Sequence, residues 1–220
     1  STLVPRSQAA AALRAVHQAF SLHQKPDDAK SWHQIRSERG NRADVDSLIS
    51  RLQADALEAL TLTGISLTKE QARVTLHGVP DKPGIAADMF ETIGEAGIFV
   101  DMIVQGYDGE DGSTSVSFTI NDDAIDHSIA VGKEICKKHG MRDIQSGTDI
   151  SKITVSGIGL RSHTHVGTIL FKQLADLGIN IEMIGTSELQ VNAVIATEKA
   201  DAATGQLKKA FAASLESGAV

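Results

Sequence analysis

The chain has 220 residues, a formal charge of −7, 41 % hydrophobic residues and only 4 % aromatic ones, room for one large or two small domains with an aliphatic core. The acidic balance lacks the basic stripe of a nucleic-acid binder, and the single cysteine, Cys136, excludes an internal disulfide framework and fits a reducing compartment. No apolar run approaches the ~20 residues of a membrane span, and the first residues lack the apolar core of a secretory signal, so a cytoplasmic protein with no membrane or nucleic-acid partner is expected.

Residues 9–20 read as an alanine-rich amphipathic helix, with Leu13, Val16, Ala19 and Phe20 at helical spacing. The polar stretch 23–41, with Pro26, Trp32 and Gly40, reads as a linker. A second helix is expected over 44–60 from Val45, Leu48, Ile49, Leu52, Leu57 and Leu60. From Thr61 the pattern changes to short strands alternating with helices. Segments 64–68 and 72–78 alternate as half-buried strands do. Segment 85–96 is helical, entered through Pro83-Gly84 and closed by Gly97. Segments 98–105 and 113–120 read as strands about a turn at 107–112. A further helix over 122–139 carries Ile125, Ile129, Val131 and Ile135 on its apolar face.

The sequence then repeats itself. KITVSG at 152–157 echoes RVTLHG at 73–78, and GINIEMI at 178–184 echoes GIFVDMI at 97–103. The spacing is two residues longer in the second copy, and a helix lies between the echoes each time. Each unit reads strand–helix–strand–strand–helix–strand, the split βαβ arrangement on an antiparallel sheet. The fold class is therefore α+β, with two ferredoxin-like βαββαβ modules preceded by a helical segment and linker. A third, partial echo aligns residues 2–20 without gaps on 193–211, so the N-terminal segment reads as the last strand and helix of a preceding unit. Leu3-Val4-Pro5-Arg6 also matches a protease-site remnant, but that explains less of the alignment.

The most informative local motif is Val79-Pro80-Asp81-Lys82-Pro83-Gly84-Ile85-Ala86, between a strand and a helix. Pro83 stiffens the turn, Gly84 lets backbone come close to a ligand, and free amides at the helix start suit a carboxylate. The ammonium of a free amino acid needs an acceptor, which Asp81, Asp101 or the amide of Gln105 could supply. A proline-glycine helix entry without any ligand is the competing reading.

GVPDKPGIAADMF at 78–90, VDMIVQ at 100–105, GIGLRSH at 157–163 and NIEMIGTSE at 180–188 occur in an order and spacing that resemble the regulatory region of aspartate kinases. The resemblance covers about 61–211 and, weakly, 2–20. It implies ACT modules, with 64–68 crossing over to complete the second module's sheet. The division it implies is 1–60 as the tail of a preceding ACT-like unit plus helical linker, 70–148 as the first module, and 61–69 with 149–215 as the second. It implies feedback inhibition by lysine, threonine or both in the biosynthesis of the aspartate-family amino acids. The partners so implied are that effector, an aspartate kinase catalytic domain and a second copy in a homodimer; no cofactor is implied. Effector contacts map onto Asp81, Gly84, Ile85, Ala86, Asp101 and Gln105 in the first module. In the second they map onto Asn180, Ile181, Met183, Thr186, Ser187 and Glu188. Where the family has Ser-His-Pro-Gly, this chain reads Ser162-His163-Thr164-His165, which puts a full site at the second helix start in doubt.

Other constellations favour plain readings. His163 and His165 with Asp149 lack a further metal ligand at defined spacing. Asp108, Glu110 and Asp111 lack the regular spacing of a calcium loop. Cys136 on a helix reads as a small apolar residue. No lysine-bearing phosphate loop or paired carboxylate cluster is present, so the chain is expected not to be the kinase by itself. A free-standing ACT-type sensor and an enzyme of the ferredoxin-like fold remain as alternatives.

Overall fold

A computed structural model describes residues 4–22, 60–107, 113–160 and 163–212. The chain falls into two units, Ser1–Leu57 and Glu58–Val220. In the first, a 3-10 turn over Arg6–Gln8 leads into α1 (Ala9–Ala19), none of whose residues is buried. Val4 and Pro5 carry no strand, because Pro5 already begins the 3-10 turn. The helix expected over 44–60 lies outside the described residues except for Leu60.

The second unit runs β1 (Thr61–Pro80), α2 (Ile85–Glu95), β2 (Ile103–Tyr107), β3 (Ser113–Asn121), α3 (Ile125–His139), β4 (Asp143–Ile158), α4 (His165–Asp176), β5 (Met183–Thr186), β6 (Gln190–Ala196) and α5 (Ala200–Ala210). All strand pairs are antiparallel, in the order β2-β3-β1-β4-β6-β5. The two long strands β1 and β4 pair along their whole length, from Thr61 opposite Ile158 to His77 opposite Asp143. The first repeat is thus the array β2-β3-β1-β4, and the second is β5-β6-β4-β1. The later half of β1 and the opening half of β4 serve the first repeat, and the opening half of β1 and the later half of β4 serve the second.

The two strands expected at 64–68 and 72–78 are one continuous strand. Lys69-Glu70 reads as a polar break, but Glu70 takes a left-handed φ of 60 and the register shifts between Thr68 and Gln71, so a bulge absorbs them. Asp149, one residue before Ile150 on β4, has a matching φ of 58. Gln71 and Ile150 occupy the same place in the two copies and face each other across the ladder. An approximate two-fold axis therefore passes between them.

The expected strand 98–105 enters its ladder only at Ile103. Left-handed Gly97 ends α2, with Ile98 N bonded to Ile93 O at 3.2 Å. Beyond it Asp101 N donates to Thr119 O and Thr119 N to Met102 O, both at 3.0 Å, while Met102 N donates to the Thr119 hydroxyl at 3.1 Å, so two residues face one and a bulge precedes the regular ladder.

Alternation along the strands sends the two faces of the sheet to different fates. Ala72, Val74 and Leu76 join Met89, Ile93, Val131 and Ile135 in the core under α2 and α3. Ile153, Val155 and Ile195 join Val166, Leu170, Leu174 and Leu207 in the core under α4 and α5. The opposite face carries a third cluster of Met102, Ile150, Met183 and Val194. The sheet curls enough for the edge strands to meet there, since a Cβ on Gly185 of β5 would lie 2.8 Å from Met102 Cε.

Candidate functional site

The loop after β1 is shaped by short backbone bonds. Lys82 N donates to Pro80 O at 2.9 Å and Ile85 N to Lys82 O at 3.4 Å. Gly84 caps α2 at φ 95, a conformation that disfavours any side chain, and the position a Cβ would take has no atom within 4 Å. The first helical bond runs from Asp88 N to Gly84 O, so the amides of Ala86 and Ala87 begin the helix ahead of it. Asp81, Gly84 and Ala86 are exposed and Ile85 is half-buried. This is an open, exposed helix N-terminus with free main-chain amides, able to receive a carboxylate.

Gln105 belongs to the same end of the sheet. Its Nε2 donates to Thr114 Oγ1 at 3.3 Å, and the Thr114 hydroxyl donates to Val79 O at 3.4 Å, two residues before Asp81. Asp101 sits at the other end of this stretch, just before β2, and its carboxylate is ion-paired with Lys152. The residues assigned by motif to the first repeat thus form two groups, the loop with Gln105 and the separate Asp101.

In the second repeat Asn180 is exposed and Ile181 packs partly against the core beneath α4. Met183 is buried in the cluster on the opposite face. Thr186, Ser187 and Glu188 are exposed at the β5–β6 turn. The Ser187 hydroxyl accepts from Leu189 N at 3.3 Å and Gln190 N at 3.1 Å, which holds that turn closed.

The helix start of the second repeat is built differently. Thr164 caps α4 in a right-handed conformation, φ −57 and ψ −20, without a left-handed glycine. The His163 Nδ1 lies 2.8 Å from Gly159 O, and its ring stands edge-on to that of His165 with centroids 5.3 Å apart. Two imidazoles thus stand at the start of α4, His163 half-buried and His165 exposed. Ser162 lies outside the described residues, as do Asp108, Glu110 and Asp111.

Charge is organised around the approximate two-fold. Arg73 pairs with Glu182 at 3.1 Å, and Lys152 pairs with Asp101. Arg73 and Lys152 hold the same place in the two copies, as do Asp101 and Glu182, so the pairs are reciprocal. Motif reading missed Arg73, Lys152, Glu182 and Thr114. Retention of charge at matching places in both echoes is the signal that points to the first three. On the helix side, Asp88 meets Lys138 Nζ at 2.7 Å and His139 Nε2 at 2.6 Å. Those bonds, Lys138 first, hold its carboxyl below the usual carboxylate range. Burial, and then the charge of Asp143, pushes the Cys136 thiol up, the behaviour of an unreactive cysteine. Among the described residues no group of three or more His, Cys, Asp or Glu could hold a metal, and no helix is long and apolar enough to cross a membrane.

Two interlocked βαββαβ repeats, one with an open glycine helix start, define a tandem module of the small-molecule-binding type. The ACT domain model matches residues 74–134 and 153–211. The chain belongs to the ACT-domain family, as a regulatory region of the aspartate-kinase type. It is 36 % identical to the regulatory subunit of aspartate kinase from Thermus flavus, with a TM-score of 0.63 over 69 % of this chain and 99 % of that one. Aspartate kinase from Synechocystis gives 33 % identity and a TM-score of 0.65 over 69 % of this chain and 27 % of its own. Aspartate kinase from Pseudomonas fluorescens is 35 % identical over 165 residues, 75 % of this chain; the chain spans 40 % of that relative's length.

Proposed function

We propose that this chain senses lysine, threonine or both and conveys their occupancy to an aspartate kinase catalytic domain as feedback inhibition. It carries no catalysis of its own and works in the cytoplasm as a homodimer joined through its ACT modules. In this reading residues 70–148 form the first module, 61–69 with 149–215 the second, and 1–60 the tail of a preceding unit with a linker. The effector contacts are Asp81, Gly84, Ile85, Ala86, Asp101 and Gln105, with Asn180, Ile181, Met183, Thr186, Ser187 and Glu188.

The observation that carries the reading is the left-handed Gly84 before α2, with open space where a side chain would stand. The ligand carboxylate meets the first amides of α2, and polar groups such as Gln105 receive the rest of the molecule. A ligand that fits one packing of the modules better than another shifts the equilibrium between them.

The test is a thermal-shift series. Lysine or threonine raises the melting temperature, whereas aspartate and ATP leave it unchanged. A ligand bound only to the native state adds about 2.7 kcal/mol at a hundredfold excess over its Kd. Stabilisation by ATP and by no amino acid overturns the reading.

A further inference from the structure

We infer that Thr114 is a positioning residue of the proposed effector site. It holds the Gln105 amide with the carbonyl oxygen turned outward, so that this oxygen meets a hydrogen-bond donor of the ligand, an ammonium or a hydroxyl. The inference rests on the helix-start reading above. It goes beyond that reading by assigning the polarity of the Gln105 contact and the residue that sets it.

The place of Gln105 is fixed by the sheet. β1 and β2 each pair antiparallel with β3, so they run in the same direction and finish at the same end. That is the end at which the chain leaves β1 at Pro80 and enters α2 at Ile85. Gln105 stands opposite Val116 on β3, and Val116 is buried in the core under α2. Residues opposite one another share a face of the sheet. The Gln105 side chain therefore lies on the α2 side, beside the helix start, where the residue is exposed.

The orientation of its amide is fixed by the one proton of a buried hydroxyl. Thr114 is 5 % exposed, and its hydroxyl donates to Val79 O at 3.4 Å, just past the register shift between Leu76 and Val79. With that proton committed, Thr114 Oγ1 has only lone pairs left for Gln105. It accepts from Gln105 Nε2 at 3.3 Å. An amide carries its donor and its acceptor on separate arms, so an inward Nε2 leaves Oε1 as the outward one.

The consequence is a selection among ligands. Once the ligand carboxylate lies on the first amides of α2, lysine and threonine have only donors left to reach Gln105 by their ammonium or hydroxyl protons. An outward Oε1 accepts them. The opposite orientation would present Nε2 and favour a carboxylate side chain such as that of aspartate. Thr114 thus turns the contact toward donor-bearing amino acids and away from acidic side chains.

The test is titration calorimetry of the full chain with L-lysine and, separately, L-threonine. Thr114→Val keeps the shape, removes the hydroxyl and weakens binding by about threefold to tenfold. Thr114→Ser, which keeps the hydroxyl, holds affinity within about twofold. In a Gln105→Ala background Thr114→Val brings no further loss, as a residue acting through Gln105 must. Gln105→Glu, an exposed change that offers oxygen on both arms, retains more affinity than Gln105→Ala and decides the matter should the valine variant fail to fold. Binding by the unaltered chain with no loss in Thr114→Val overturns this inference alone. So does a Thr114→Val loss that persists in the Gln105→Ala background, or a Gln105→Glu variant as weak as Gln105→Ala. If neither amino acid binds the unaltered chain, the effector reading falls and takes this inference with it.

Discussion

The two repeats share a strand order, a pair of reciprocal charges and the same close-packed glycines, yet they part where a helix begins. Gly78 and Gly157 hold the same place in the copies, and both are required by close backbone. A Cβ on Gly78 would stand 2.9 Å from Arg142 N, and one on Gly157 would stand 2.6 Å from Thr61 O. Gly84, by contrast, has open space around it, and its place in the second repeat is taken by the Thr164-His165 turn. Gly78 and Gly157 answer to packing. Gly84 answers to its left-handed backbone, and it leaves open the space in which the proposed ligand would stand.

The opposite face of the sheet shows a second asymmetry. On the axis the second repeat contributes buried Ile150 and the first contributes buried Gln71, whose Oε1 has no partner. Ile150→Ala is expected to lower stability most, by roughly 2–5 kcal/mol in equilibrium denaturation. Gln71→Met has the opposite sign and raises stability by about 1 kcal/mol, because it removes a buried unpaired carbonyl. Equal losses from both changes would erase the distinction between the two sides of the cluster.

The helix starts are compared by titration calorimetry. Gln105→Ala weakens effector binding by roughly 1–3 kcal/mol through a lost hydrogen bond to a polar or charged ligand group. Gly84→Ala also loses affinity, and costs about 1–2 kcal/mol of stability from its φ of 95 with no clash involved. His165→Ala leaves affinity nearly unchanged. A large loss in His165→Ala with none in Gln105→Ala would move the ligand to the second repeat.

The smallest effect expected is on pH dependence. The Asp88 carboxyl is depressed in the folded protein, so its contribution is present above the ordinary carboxylate value of 3.8 and is lost as pH falls through the folded value. Asp88→Asn should therefore lower the denaturation midpoint slightly at pH 7, with the difference from the unaltered chain vanishing at the acid end. A gap that widens on acidification contradicts the assignment.

Much of this architecture was legible in residues 61–211, because the echoes at 73–78 and 152–157 and at 97–103 and 178–184 hold their spacing. The helix entry at Pro83-Gly84 was legible too, since proline and left-handed glycine punctuate the chain locally. The continuity of β1 was not. Lys69-Glu70 has the composition of a loop, and only pairing with β4 on the far side makes a bulge the better solution. The charges of the Arg73–Glu182 and Lys152–Asp101 pairs were legible as matched places in the echoes, but not their pairing, which depends on how far the sheet curls. The second helix start was half legible. The loss of Pro-Gly could be read, but not the contact from His163 to Gly159 O.

The shared strands β1 and β4 make the two repeats inseparable in a way that a linker between domains does not. A fragment cut between the repeats, at about residue 148, keeps the part of β4 that faces the later half of β1 but strands the opening half of β1 without the β4 residues it pairs with, 152–158. The second piece keeps three strands, β4, β6 and β5, and loses its fourth, so it is not a self-sufficient folding unit. Amide hydrogens along β1, from Leu62 to Leu76, should accordingly exchange in a single cooperative opening, with one protection level on both sides of the Glu70 bulge.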